Sequence, residues 1–340
     1  MRFVSIEAVE PGQRLGKSIF TGNGTTLLAE NSQLTVPLIN TLKRIGVTMI
    51  FIKDERFDDV VIEDVVSEKT KMAVISKMSE TFYAVRSGKE FDTRSISVSV
   101  DRMLDELMAN KHLLAQLNEI RSNDNEMYVH ALHVCVMSVL IGINAGFSPA
   151  QLKDLAVGAL LHDIGKVGRE EDGPETSKEH HTWRGFELLK TKREYSLLIS
   201  HICLQHHETI DGNGIPRRLN GDKIHAFAKI VAIANLYDNL ISGFSHGKRF
   251  LPHEACERIS ALAGVTLEHE YVLHFLKTVS VYPTGTSVKL STKETGVVVG
   301  QHRGLPGRPV VRVFKRNDNQ YEAKEVDLAR NPTVFIEAVL

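Results

Sequence analysis

The chain has 340 residues, 24% charged and 42% apolar, with a formal net charge of -1 and a pI near 7.0. That balance lacks the basic footprint of a nucleic-acid binder, and the length favours more than one domain. Three widely spaced cysteines, Cys135, Cys203 and Cys256, fit reduced thiols better than a disulfide framework, so a cytoplasmic location is expected.

In chain order, RFVSIEAV (2–9) alternates as a strand and is turned by Pro11-Gly12. A hairpin is expected around Gly22-Asn23-Gly24. TVPLINTLKRIG (35–46) has helical spacing with Gly46 as its stop, and VTMIFIK (47–53) reads as a short buried strand. The first residues carry no apolar signal-like core, and no run approaches the ~20 apolar residues of a membrane span. Residues 1–66 are thus read as a small mixed α/β unit. Residues 67–120 have the composition of connecting helices, although SISVSV (95–100) alternates like a strand.

Residues 121–280 read as almost wholly helical. A helix is expected over about 124–145. Ser148, Pro149 and Gln151 form a capping-box signature before LKDLAVGALLHDIG. Further helices are expected at 178–191, 194–207, 223–242 and 252–262. Residues 281–340 change to β-rich runs, SVKLS, GVVVGQ and RPVVRVF, separated by turns such as Asn317-Asp318-Asn319. The fold class expected is mainly α, a helical core flanked by a small mixed N-terminal unit and a β-rich C-terminal unit.

Eight of the 15 histidines lie between residues 130 and 207. His162 and Asp163 sit side by side at the end of an apolar helix, where both are costly to bury without a partner. A divalent cation satisfies both, since neutral imidazole and carboxylate are compatible ligands for zinc, manganese or iron. Further donors stand at other helix ends or faces: Glu126 and His130 one turn apart with His133 continuing that face, His181 at the start of HTWRGFELL, and His206-His207-Glu208 before DGNGIP. A single histidine on an apolar face is ordinarily a satisfied core residue. Donors at several separate helix ends point instead to a metal centre.

The ordered set of His130, HDIGK (162–166), H-x-x-x-G (181–185), HHE (206–208) and DGNGIP (211–216) resembles the HD-GYP family. Its members are bacterial phosphodiesterases of cyclic di-GMP within the HD metal-phosphohydrolase superfamily. The flanks resemble units that accompany this domain. The resemblance implies an HD-type helical bundle holding two or three divalent ions, iron or manganese in preference to zinc. By position it implies Glu126, His130, His162, Asp163, His181, His206, His207 and Asn235 as metal ligands, with Asp163 bridging. Lys166 matches a lysine that contacts a phosphate, and Gly214, Ile215, Pro216 and Lys248 fall in the substrate-binding segments. Asp163 and Lys166 are the catalytic candidates: water held between two cations loses its proton readily and attacks phosphorus, and the lysine offsets the growing charge.

Three positions depart from the family pattern. Ile215 stands where the family has tyrosine, which removes a phenol from the mouth of the site. Asn235 stands where the family has an aspartate ligand, so one metal position is expected to be weaker. SGFSHGKRF (242–250) keeps only Lys248 and Arg249 of an otherwise more basic substrate loop. Hydrolysis of cyclic di-GMP is the leading expectation. The alternatives are a non-catalytic nucleotide-binding sensor or adaptor, and a phosphohydrolase for another nucleotide. A protein partner is expected to engage the N- or C-terminal unit, with no nucleic acid and no membrane involved.

Overall fold

The computed structural model describes all residues other than 61, 63, 118, 169–173, 175–177, 244–247 and 318–319, and the side chains of 315–317 and 320–322 also lie outside the description. The chain divides into two units. The first comprises Met1–Asp64, His112–Glu126 and Val279–Leu340, and the second Val65–Lys111 and Met127–Thr278.

In the first unit, β1 (Arg2–Ser5) pairs antiparallel with β4 (Met49–Ile52), and β2 (Ile19–Phe20) with β3 (Thr26–Leu28) across the expected hairpin. Helix α1 (Val36–Arg44) starts where Thr35 accepts a hydrogen bond from the Leu38 amide and Pro37 fills the first turn. Its Ile39 and Leu42 bury against Leu15, Ile19, Leu34, Ile50 and Ile52. The C-terminal part of the unit is a five-stranded antiparallel sheet in the order β8-β7-β6-β5-β9. Its strands are β5 (Ser287–Leu290), β6 (Thr295–Gly300), β7 (Val310–Asn317), β8 (Gln320–Asp327) and β9 (Ile336–Val339). Alternating residues such as Val288, Leu290, Val311 and Val313 turn to one face and form a small core. The expected turn at 317–319 includes residues 318 and 319, which lie outside the described residues.

The second unit is mainly α. Helices α2 (Glu68–Arg86) and α3 (Thr93–Ala109) pack on one another, so SISVSV is helical. Asp92 caps the α3 amides of Arg94 and Ser95, and Ile96, Val100, Met103 and Leu107 supply a buried face at helical spacing. There follow α4 (Glu126–Asn144), α5 (Pro149–Leu160), α6 (His181–Leu189), α7 (Leu197–Gln205), α8 (Ala226–Ser242), α9 (Pro252–Leu262) and α10 (His269–Leu276). The Ser148–Gln151 capping box opens α5 as expected. Helix α10 was not among the expected elements.

The middle of the unit is built by α4, α5, α7 and α8. The Cys135 thiol on α4 donates to the Ala156 carbonyl of α5, and α7 packs against both α5 and α8. Among the described residues α4 is the one helix long and apolar enough to cross a membrane, and 78% of that stretch is buried inside the protein.

Candidate metal centre

His162, Asp163, His181, His206 and His207 arrive at helix ends for local reasons, whereas His130 lies in the second turn of α4. Helix α5 stops at Leu160, and the chain turns tightly through His162 and Asp163 into a short 3-10 turn, Ile164–Lys166. That turn lies close under the start of α6: a Cβ on Gly165 would stand 2.0 Å from the His181 carbonyl oxygen. One turn into α6, a Cβ on Gly185 would stand 2.1 Å from Cys203 Sγ. Glycine at both positions lets the 162–166 turn meet the α6 backbone directly and lets the Cys203 side chain of α7 pack against α6. This is the physical content of the glycines in HDIGK and H-x-x-x-G. His181 is the first residue of α6, and His206 follows the last residue of α7.

One donor atom each from His130, His162 and Asp163 lies within 4.8 Å of the others, and the same holds for Asp163, His181, His206 and His207. Asp163 belongs to both groups and divides its oxygens between them. Its Oδ2 is 3.4 Å from His162 Nε2 and 3.7 Å from His130 Nε2, while its Oδ1 is 3.4 Å from His181 Nε2 and 3.5 Å from His206 Nε2.

The hydrogen bonds on the far sides of the rings fix what faces the carboxylate. His162 Nδ1 donates to the Ala159 carbonyl at 2.7 Å, and His206 Nδ1 to the Cys203 carbonyl at 2.8 Å. His130 Nδ1 donates to Asp238 Oδ2 at 2.6 Å. A neutral imidazole that spends its proton on Nδ1 presents a bare lone pair at Nε2. His130 Nε2 and His162 Nε2 nevertheless face each other at 3.3 Å, and His181 Nε2 and His206 Nε2 at 3.4 Å. Asp163 Oδ1, buried beside them, accepts no hydrogen bond. The Nε2 lone pairs of His130, His162 and His206, beside an ionised Asp163 oxygen that accepts no hydrogen bond, are a set that cations complete.

The protonation states agree. Burial holds the His162 imidazole well below its ordinary value; Asp163 opposes this, and His206 and His130 add to it. His207 is held low by burial and by His206 and His181. Burial acts to raise the Asp163 carboxyl, but the Lys166 ammonium and the nearby imidazoles keep it well below the usual carboxylate range. Neutral imidazoles around an ionised carboxylate are the ligand forms of these groups.

The other expected residues fall around this centre. Lys166 Nζ is 2.7 Å from Asp163 Oδ2, and its side chain is 40% exposed, so it reaches both carboxylate and solvent. Asn235 is buried on α8 and accepts a hydrogen bond from Asn239 Nδ2 at 3.0 Å. Glu126, the first residue of α4, holds Arg121 Nη1 at 2.5 Å and is in neither group. Glu208 organises the loop that follows: its two carboxylate oxygens accept from the amides of Arg217 and Leu219. Gly214 packs so closely that a Cβ would stand 2.2 Å from the Thr209 amide nitrogen. Ile215 donates its amide to the His207 carbonyl, and a cis peptide joins it to Pro216. Lys248 Nζ lies 5.1 Å from the Phe250 ring centroid, whereas residues 244–247 of the expected substrate loop lie outside the described residues.

One residue of consequence was not anticipated. Asp238 is fully buried and accepts from His130 Nδ1 and, at 2.8 Å, from His133 Nδ1. It thereby orients an expected ligand and accounts for the buried His133. The i to i+3 spacing of His130 and His133 was the available signal.

Residues 114–269 match the HD domain family, and residues 287–340 match a KOW domain associated with the HD domain. The chain is 29% identical over 274 residues to a cyclic di-GMP phosphodiesterase of Pseudomonas aeruginosa, covering 77% of this chain and 65% of that protein. It is 30% identical over 222 residues to a cyclic di-GMP phosphodiesterase of Thermotoga maritima, covering 62% of this chain and 55% of the relative. A 3'3'-cGAMP-specific phosphodiesterase of Vibrio cholerae is 26% identical over 244 residues, covering 68% of this chain and 45% of the relative. The chain thus spans between about half and two thirds of the length of these relatives.

Proposed function

Because this chain carries an HD domain akin to those of HD-GYP phosphodiesterases, we propose that it hydrolyses a phosphodiester bond of a cyclic dinucleotide, cyclic di-GMP first, at a centre of two divalent ions. The observation that carries the reading is Asp163, whose two oxygens face two separate sets of imidazole nitrogens. His130 and His162 would hold one ion and His181, His206 and His207 the other, with Asp163 shared. Iron, manganese and zinc all accept mixed imidazole and carboxylate donors, and iron or manganese is favoured because the resemblance to the HD-GYP family implies them. When bound, such ions supply Lewis acidity to the phosphoryl group and acidify water for attack.

The chain's own groups do the rest. Asp163 stays ionised and balances cationic charge. Asp238 holds the His130 proton on Nδ1 and so keeps Nε2 a ligand. Lys166, half-exposed beside Asp163, receives a phosphoryl oxygen and offsets its growing negative charge. Glu208 and Gly214 fix the loop that carries Ile215 and Pro216 past the site. The three buried free cysteines suit a reducing compartment, and we assign the chain to the cytoplasm.

A second reading, nucleotide binding without turnover, is favoured by Asn235, whose amide oxygen is engaged by Asn239. The two readings part on one assay. The purified chain, reconstituted anaerobically with ferrous iron or with manganese, is incubated with cyclic di-GMP or with 3'3'-cGAMP, and products are separated by chromatography. Hydrolysis of either one, lost in Asp163→Asn, supports the enzyme and names its substrate. Metal uptake and nucleotide retention without product would replace it with the sensor.

A further inference from the structure

Arg184 lies in the first turn of α6, just after the candidate ligand His181, and is half-buried. Its Nε donates to the Gly165 carbonyl at 2.9 Å, and its Nη1 donates to the Glu179 carbonyl just before the His180 cap. One guanidinium thus ties the 164–166 turn to the chain that leads into α6. The Gly165 carbonyl is one that the turn itself leaves over. The bonds of the turn run from the Lys166 amide to the Asp163 carbonyl and from the Val167 amide to the Ile164 carbonyl. Among the described residues no donor other than Arg184 reaches the Gly165 oxygen.

The bond matters for the peptide that it holds. A peptide group is planar, so the Gly165 oxygen and the Lys166 nitrogen turn together. Arg184 holds the oxygen, and the Asp163 carbonyl holds the nitrogen at 2.9 Å, so the Lys166 side chain starts from a fixed point. From there its Nζ stands 2.7 Å from Asp163 Oδ2. A guanidinium suits the task because it presents Nε and Nη1 in a rigid plane, one to each carbonyl. An ammonium on a flexible stem would not hold both.

We propose that Arg184 is a positioning residue for Lys166, fixing the Gly165–Lys166 peptide so that the ammonium meets a phosphoryl oxygen at the metal centre. The inference rests on the phosphate contact proposed above for Lys166, and not on turnover.

The probe is inorganic phosphate, titrated by calorimetry into the full chain loaded with saturating manganese, with the metal content of each sample measured by elemental analysis. Lys166→Ala should weaken phosphate by about tenfold. Arg184→Ala should weaken it by about fivefold and keep the metal content of the parent. Because Arg184 acts through Lys166, the double variant should match Lys166→Ala within about twofold. Arg184→Lys should resemble Arg184→Ala, since it restores the charge without the planar fork. If Arg184→Ala does not fold, the same cycle is run with Arg184→Lys, which keeps the charge and much of the side-chain volume. The proposal is overturned if the two single effects multiply in the double variant, or if Arg184→Lys binds phosphate as the parent does. It is equally overturned if phosphate weakens only in proportion to metal lost. No phosphate binding by the loaded parent, or unchanged binding in Lys166→Ala, would remove the phosphate role of Lys166 and this inference with it. None of these readouts needs turnover, so the cycle decides the role of Arg184 even in a chain that cleaves no cyclic dinucleotide.

Discussion

Asp238→Asn is the substitution whose consequences follow most directly from the geometry. The native carboxylate accepts from His130 Nδ1 at 2.6 Å and from His133 Nδ1 at 2.8 Å while fully buried. Asparagine keeps the shape but offers one oxygen and one NH2, so one imidazole N–H must face a donor. Either that bond is lost or the imidazole moves its proton to Nε2. For His130 the second outcome turns the nitrogen that faces Asp163 and His162 from a lone pair into a donor, which cannot hold a cation. A hydrogen bond to a charged group contributes about 1.5–3 kcal/mol, and an orphaned buried donor adds desolvation, so the apo chain should lose about 2–4 kcal/mol. Replacing a carboxylate that orients a ligating histidine typically lowers metal affinity about 10–100-fold. Competition of manganese against a fluorescent chelator measures the affinity, and denaturant unfolding of the metal-free chain measures the stability separately. His133→Phe is the control: it removes the other bond and leaves His130 held, so stability should fall while metal affinity changes little. Metal affinity in Asp238→Asn within about twofold of the parent would refute the orienting role.

Gly165→Ala drives a Cβ to 2.0 Å from the His181 carbonyl oxygen, a backbone atom that cannot swing aside. It should cost about 3 kcal/mol or more and lower metal affinity too, read by thermal unfolding with and without manganese. Glu106 bonds the Ser67 amide and the Ser67 and Thr70 hydroxyls at the start of α2. Burial acts to raise its carboxyl, but these bonds together with Lys71 hold it below the ordinary value. Its stabilisation is therefore present above the unfolded carboxylate value of about 4.3 and is lost as pH falls through the folded one. Glu106→Gln should be less stable than the parent in urea at neutral pH and match it in acid. Chelation of the metals should lower the midpoint of thermal unfolding. Metal at about 100 times its dissociation constant contributes about 2.7 kcal/mol per site, and an unchanged midpoint would mean that the centre binds no ion.

The parts of the fold that could be read from sequence are those specified locally. The Ser148–Gln151 box and Pro149 mark the start of α5 without reference to any partner, and the structure shows both of the box's hydrogen bonds. SISVSV was ambiguous because serine alternates with apolar residues at the strand period. Helix prevails because Ile96, Val100, Met103 and Leu107 bury together and Asp92 caps the first turn. Strand β8 carries charges at four of its eight positions and no sustained apolar alternation, so its place beside β7 depends on pairing rather than on its own pattern. At the metal centre, helix-end histidines announce themselves as types and spacings. Asp238 does not, because it meets His130 from 108 residues away in sequence and on the side of the ring facing away from Asp163.

The central claim is that two cations share Asp163, and metal stoichiometry tests it most directly. Elemental analysis of the chain reconstituted with manganese under reducing conditions should give about two ions in the parent. His162→Ala and His207→Ala should each retain about one, because they remove ligands from different groups, and Asp163→Ala should retain less than one. A parent that binds no metal, or an Asp163→Ala chain that keeps the full complement, would contradict the account.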